Sequence, residues 1–273
     1  IYYLPDVLRH FREVNRLLLH VPEYAISKFI VHFPGDMLRS MPHLQSVHIN
    51  VLLQNIRLLD YQAVRSLRSL GTVTCTSAHA SYSNVEVERR LGCRLYGLSV
   101  FVSPEQYERV PYHLKEDLMI VSPDPHPSKD YILRELKKCL PALEVRVIRR
   151  MPYSRYKQLA RRAKWALTFG EGLDGYFVET VFSGGVGIAV FNEDFFTPDF
   201  KVLRTVYPSY EELRRRLCAD LVLLDNPVTY ESYQEEQYCL CSQYYNYKEY
   251  LVRLERFYRE WLEASGPASR RQN

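Results

Sequence analysis

No stretch of this chain is apolar for long enough to cross a bilayer. The longest runs, 97–102 and 186–191, fall far below the roughly 20 residues a spanning helix needs. Cysteine is scarce and scattered, at 75, 93, 139, 218, 239 and 241. None of the six forms a C-x-x-C pair, which argues against a structural zinc site. Their places within apolar segments predict reduced, buried thiols of the kind a cytosolic protein carries. Glycine and proline, 11 and 15 of 273 residues, are too few for a collagen-like or low-complexity chain. An excess of one charge is missing as well. The formal +4 left by 36 basic and 32 acidic side chains comes without the recognisable module of a nucleic-acid binder. No D-x-D pair is present to suggest a bound metal, and no signal peptide is visible. The chain opens on Ile1, so a segment upstream stays open.

What is present is a globular composition, 47% hydrophobic and 25% charged, in a length that suits one large or two medium domains. From residue 44 onward, short apolar runs alternate with helix-period stretches, the pattern of βα units around a parallel sheet. Strands are predicted at 44–53, 72–76 and 95–102, with helices over 61–70 and from a Ser83/Glu86 capping box to Gly92. The stretch after 103 has two prolines and little periodicity and reads as a linker. Strands then follow at 118–122, 143–148, 165–169 and 187–191. Helices are expected from 128 to Pro141, over 155–164 and 176–182, after Ser209, and over 247–262. Residues 1–43 fit no unit. The domain reading is an abbreviated N-terminal domain 1–105, a linker 106–117, a second domain 118–246, a bracing helix 247–263 and a disordered tail 264–273. Basic residues cluster in 149–164 and 214–216; a solvated helix face or an anionic partner, a diphosphate or a membrane surface, would explain them.

In open α/β sheets ligands bind where strands hand over to helices, which here points to 54–55, 123–129 and 170–175. The strongest local signal is Gly170-Glu171-Gly172-Leu173-Asp174-Gly175-Tyr176-Phe177-Val178-Glu179. Glycines in a strand-to-helix loop let a backbone approach a ligand, and the helix start offers N–H groups to an anion. Glu179, a turn inside the helix, is placed to accept from vicinal sugar hydroxyls. A tight turn with a capping Glu and a surface Glu explains the same residues without any ligand.

The two glutamates, seven residues apart, resemble the E-x7-E motif of retaining GT-B glycosyltransferases, the family 4 group above all. The helix over 151–164 is similar to the one that precedes that motif. Ser183-Gly184-Gly185-Val186-Gly187-Ile188-Ala189-Val190 resembles the turn and strand that follow it, and Val206-Tyr207-Pro208-Ser209-Tyr210-Glu211-Glu212-Leu213 a later strand and helix. The resemblance covers about 118–262 and, more weakly, 44–102. It implies an α/β fold of two Rossmann-like domains facing a cleft. Glu179 would hold the nucleotide ribose and Glu171 would face the donor sugar. The backbone of Gly172, Leu173, Asp174 and Gly175 would line sugar and diphosphate, and Thr180 would add a hydroxyl to a phosphate. Met151 and Pro152 would lie over the base, and Lys129 would stabilise the leaving diphosphate. The family carries an arginine upstream of that lysine; here His126 is the candidate replacement.

Gln54 and Asn55, and Ser77 and His79, end strands of the first domain and are its candidates for substrate contact. The implied reaction is metal-independent transfer of a sugar from a nucleoside diphosphate to an acceptor hydroxyl with retention. It needs no cofactor, and its acceptors are bacterial surface glycans or lipid-linked sugars. That implies a cytoplasmic enzyme, peripheral at the inner membrane face. A GT-B epimerase or phosphorylase, a non-catalytic sugar-nucleotide-binding protein, and a basic nucleic-acid binder stay open beside it.

Overall fold

The computed structural model describes His10 and residues 14–32 and 44–264. Two compact α/β units result. One comprises the described residues up to Val100 together with those from Lys248 onward, and the other runs from Phe101 to Tyr247. Most of the predicted tail lies outside the described residues. Among the described residues no helix is long and apolar enough to cross a membrane.

In the first unit four parallel strands lie in chain order: β1 (Arg16–Pro22), β2 (Ser46–Leu53), β3 (Thr72–Ser77) and β4 (Arg94–Gly97). Successive strand residues point to opposite faces, so Val21, Ile49, Val51, Leu53, Val73 and Cys75 share one face. Onto it pack α1 (Ile26–His32), α2 (Tyr61–Ser66) and α3 (Val85–Leu91). Right-handed crossovers between consecutive neighbours account for these three helices lying on that same side.

The other face is polar. The Asn50 amide donates to Thr76 Oγ1 at 2.9 Å and to His20 Nδ1 at 3.1 Å, while its oxygen accepts the Thr74 hydroxyl at 3.0 Å. Thr74 Oγ1 is then left to accept from His48 Nε2 at 2.8 Å, so both imidazoles carry their proton on Nε2. A helix from the far end of the chain, α9 (Tyr247–Ala264), meets this face. The ring of Phe257 stands edge-on to Tyr96 at 5.2 Å, Tyr258 bonds His20 Nε2, and Glu260 accepts from Tyr96 at 2.7 Å and pairs with Arg94.

Burial holds the pKa of His20 and His48 below the usual 6.5, and the His20 charge lowers that of His48 further. The unfolded chain therefore takes up protons first as pH falls. Stability present above pH 6.5 is lost on acidification through the lowered folded values. The expected result is a thermal midpoint that drops between pH 7 and 5, with a flatter profile in His48→Gln. A midpoint indifferent to pH over that range would contradict it.

The sheet of the second unit is also wholly parallel, in the order β6 (Glu144–Val147), β5 (Glu116–Val121), β7 (Ala163–Leu167), β8 (Val186–Val190), β9 (Val206–Tyr207). Counted within the unit this is 2-1-3-4-5, so the winding reverses beside β5. Leu118, Ile120 and Ala166 face α5 (Tyr153–Arg162), whose Tyr156, Leu159 and Ala160 lie at helical spacing. The helix joining β5 to β6 is α4 (Lys129–Cys139), that joining β7 to β8 is α6 (Gly175–Phe182), and α7 (Tyr210–Leu224) and α8 (Pro227–Tyr244) follow β9.

Several expectations are corrected. The stretch read as a linker is a strap bonded to the second unit. Lys157 donates to the Gln106 carbonyl at 2.8 Å, Val110 N–H to Ser183 O at 3.1 Å, and Arg109 to Gln234 at 2.9 Å. Asn84, not Ser83, caps α3, because Ser83 is engaged by Ser77 and the His79 carbonyl. The helix predicted to run through Lys164 stops at Arg162. Lys164 is a buried strand residue bridging Asp117 and Asp225. Not all the thiols are reduced: Cys139 and Cys218 form a disulfide, their Cα atoms 6.3 Å apart. It joins the end of α4 to the middle of α7, neighbours in space but 79 residues apart in sequence.

Candidate functional site

The reversal in the second sheet opens a crevice between the loops after β5 and β7. These loops are stitched together: Ser122 N–H donates to Leu167 O, and Phe169 N–H to Ser122 Oγ at 2.9 Å. The glycine-bearing loop is tight. Gly170 and Gly172 have φ of +72° and +82°, a region that favours glycine. At Gly172 a Cβ would also sit 2.7 Å from the Phe196 ring, so this glycine answers to packing and conformation rather than to a ligand. Leu173 is buried beneath the loop. Asp174 caps α6 through Oδ1, which accepts Phe177 N–H at 3.1 Å.

That cap changes the expected anion cradle. The N–H groups at the start of α6 are turned to the chain's own carboxylate, with the charges of Asp124 and Glu171 close by. Burial, opposed by the Phe177 N–H and reinforced by those two neighbours, drives the Asp174 pKa well up. A diphosphate laid on this loop would meet three carboxylates, so its charge must be answered elsewhere. Thr180 is corrected too: it has no exposed surface and its methyl lies against Gly185, so its hydroxyl is not offered to a phosphate.

Lys129 opens α4 as a buried side chain. Its ammonium donates to the carbonyls of Ser122 at 2.5 Å and Asp124 at 2.9 Å, and lies over the Phe169 ring. Burial lowers its pKa and Asp124 opposes that. His126 stacks on Tyr210 with centroids 3.6 Å apart and accepts Ser128 N–H at Nδ1, leaving Nε2 as its donor. Burial lowers the pKa of this ring.

A cavity lies one loop over, between the ends of β5 and β6 and the starts of α5 and α6. It is an open pocket of about 330 Å³, lined by Arg149, Arg150, Met151, Tyr153, Tyr176 and Glu179, among others. Glu179 is only 8% exposed. Its Oε2 accepts the Tyr153 phenol at 3.0 Å, and its Oε1 lies 3.1 Å from where a Cβ on Gly175 would be. Burial raises its pKa, while the phenols of Tyr107 and Tyr153 and the charge of Lys157 pull it back. Arg150, at φ +41°, holds a backbone conformation that costs a side-chain-bearing residue of order 1 kcal/mol. Such strain gathers at ligand sites. The residues predicted for the nucleotide thus divide. Met151, Gly175 and Glu179 line one cavity, and Pro152 sits exposed at its edge as the N-cap of α5. Glu171, half-buried, lies outside the lining, where its charge acts on Asp174 and Tyr245. Tyr153 and Tyr176 were not anticipated; a tyrosine beside a predicted turn carries no spacing signal.

In the first unit Asn55 caps a turn by accepting Arg57 N–H, and the Gln54 carbonyl accepts the Tyr82 phenol. Ser77 is buried against Ser83, and His79 packs on Tyr82 with its pKa pushed down to about 4 by burial. Each has a structural role at the strand edge. Glu23, unforeseen, joins them as a buried carboxylate accepting Asn55 N–H at 2.9 Å. No protein-family model matches the chain, and no curated protein matches it.

Proposed function

We propose that the second unit binds a nucleoside-diphosphate sugar, and that the chain is a GT-B glycosyltransferase passing that sugar to an acceptor hydroxyl with retention, in the assembly of a bacterial glycan. The observation that carries the reading is the 330 Å³ cavity at the edge of the winding reversal, with a buried carboxylate and two arginines among its lining residues. Its chemistry suits a nucleotide. Glu179 accepts from ribose hydroxyls, Ile148 and Met151 give the base an apolar seat, and Arg149 and Arg150 answer the diphosphate charge. The transfer step rests on the resemblance of the motif. Glu171 stabilises the sugar at the crevice, and His126 Nε2–H and the remaining Lys129 proton face the leaving phosphate.

One observation favours the runner-up, a binding protein without transfer activity: the Lys129 ammonium is already engaged by two backbone carbonyls. The test is a thermal-shift panel of UDP, GDP, dTDP and ADP sugars, repeated with Glu179→Ala. At a hundredfold excess over Kd, one nucleotide class is expected to stabilise by about 2.7 kcal/mol, a rise of a few degrees. Most of that rise should vanish in the variant. A panel in which no class moves the midpoint would end the proposal, and turnover assays on the stabilising class separate enzyme from binder.

A further inference from the structure

The Glu179 carboxylate is held on one side by phenols that the motif does not contain, and on the other it lies against the motif's own Gly175. The Tyr153 phenol donates to Oε2 at 3.0 Å, and because that proton is committed, the Tyr153 oxygen must accept from the Tyr107 phenol 2.9 Å away. The chain of donors therefore runs from Tyr107 through Tyr153 to Glu179. Lys157 lies over the Tyr107 ring at 4.6 Å and donates to the neighbouring Gln106 carbonyl, which anchors the far end. On the other side Oε1 overhangs Gly175, where any Cβ would crowd it. Tyr153 itself is 57% exposed, so the fold gains little from burying it. An exposed phenol that reaches a buried carboxylate at the wall of a cavity is placed for that carboxylate rather than for the core.

We propose that Tyr153, backed by Tyr107, is the positioning residue of this site: it fixes Oε2 of Glu179 so that Oε1, over Gly175, is presented to the ribose diol of the bound nucleotide. This rests on the nucleotide reading above. Burial raises the pKa of both phenols, so the relay stays protonated, and donating, through the neutral range. The glycine at 175 then has a second reason beside starting a helix, since a methyl there pushes Oε1 off its line.

The test is calorimetric titration of the wild type, Tyr153→Phe, Tyr107→Phe and Gly175→Ala with UDP and GDP, each against its 2′,3′-dideoxy analogue. The wild type is expected to prefer the ribose form of one nucleotide by tenfold or more, about the worth of one or two charge-assisted hydrogen bonds. Tyr153→Phe and Gly175→Ala are each expected to shrink that preference about fivefold, as loss of one hydrogen bond would, and Tyr107→Phe less. Binding of the dideoxy form should hardly change, and the Tyr153→Phe melting midpoint should stay near that of the wild type. A merely structural tyrosine would weaken both ligands alike. If the wild type binds one of the two nucleotides and Tyr153→Phe keeps the full ribose preference, the positioning role is overturned and the nucleotide site stands. If the wild type binds neither, both fall.

Discussion

Gly184→Ala is expected to destabilise the second unit by about 2–5 kcal/mol, the sum of placing a side chain at positive φ and overpacking a closed contact. Gly184 has φ +85°, and a Cβ there would lie 2.2 Å from the Val110 carbonyl oxygen and 2.9 Å from its nitrogen. Both are backbone atoms, so no rotamer can give way. The strap would have to lift, breaking the bond from Val110 N–H to Ser183 O. Gly184→Asn separates the two causes. Asparagine tolerates the left-handed region but still brings a Cβ, so it should fare little better. Urea unfolding monitored on the two variants measures both, and a loss under 1 kcal/mol in either would refute the close approach.

Lys115→Met should be the next most damaging change. The Lys115 ammonium is buried where two helices end. It donates to the Arg161 carbonyl at 2.9 Å and the Ser183 carbonyl at 2.7 Å, with Ala160 O at 3.4 Å. These are terminal carbonyls of α5 and its neighbour α6, which have no partners within their own helices. Methionine fills the volume but leaves the Arg161 and Ala160 carbonyls orphaned and Ser183 O with the Val110 N–H alone, at a cost of about 2–4 kcal/mol. The wild type should also show a pH signature. Burial, with the nearby Arg161 charge, pushes the Lys115 pKa down to about 7. In the unfolded chain it returns to its ordinary value near 10.5, so between those values the unfolded state binds more protons and stability rises with pH. The rise should begin near pH 7, end near 10.5 and be absent from Lys115→Met. Guanidinium titrations at several pH values follow it directly.

Much of this architecture was legible because the central strands of the second unit are apolar on both faces, those of the first unit on one, and the helices are bounded by caps and glycines. Ser209 accepts Glu212 N–H as the sequence suggested, and Gly92 closes α3 at φ +67°. What escaped had polar interiors. In α8 the buried positions 230, 233, 234, 237 and 241 keep helical spacing, but they are Tyr, Tyr, Gln, Gln and Cys. Gln237 accepts Gly187 N–H and donates to Gly187 O, serving β8 as a neighbouring strand would. A hydrophobic pattern cannot register a helix whose contacts are amides. Likewise Lys164 reads as the end of a charged helix, and only the carboxylates of Asp117 and Asp225, brought from elsewhere in the chain, make it a core residue. At the site, the E-x7-E spacing led to Glu179 and its cavity. It said nothing of Asp174 folding back to cap its own helix, because an aspartate in a glycine-rich loop reads equally well as ligand or as cap.

The pairing of α9 with the first strands bears on how the chain is made. His20 meets Tyr258 across 238 positions, and Tyr96 meets Glu260 across 164. During synthesis from the N-terminus, strands β1 to β4 leave the ribosome well before the helix that seals their polar side. Residues 101–247 hold everything their own sheet requires and can finish first. The early sheet must wait, half dressed, for α9. Ribosome-bound fragments ending near residue 246 should therefore show a protease-resistant second unit beside a first one still open to cleavage.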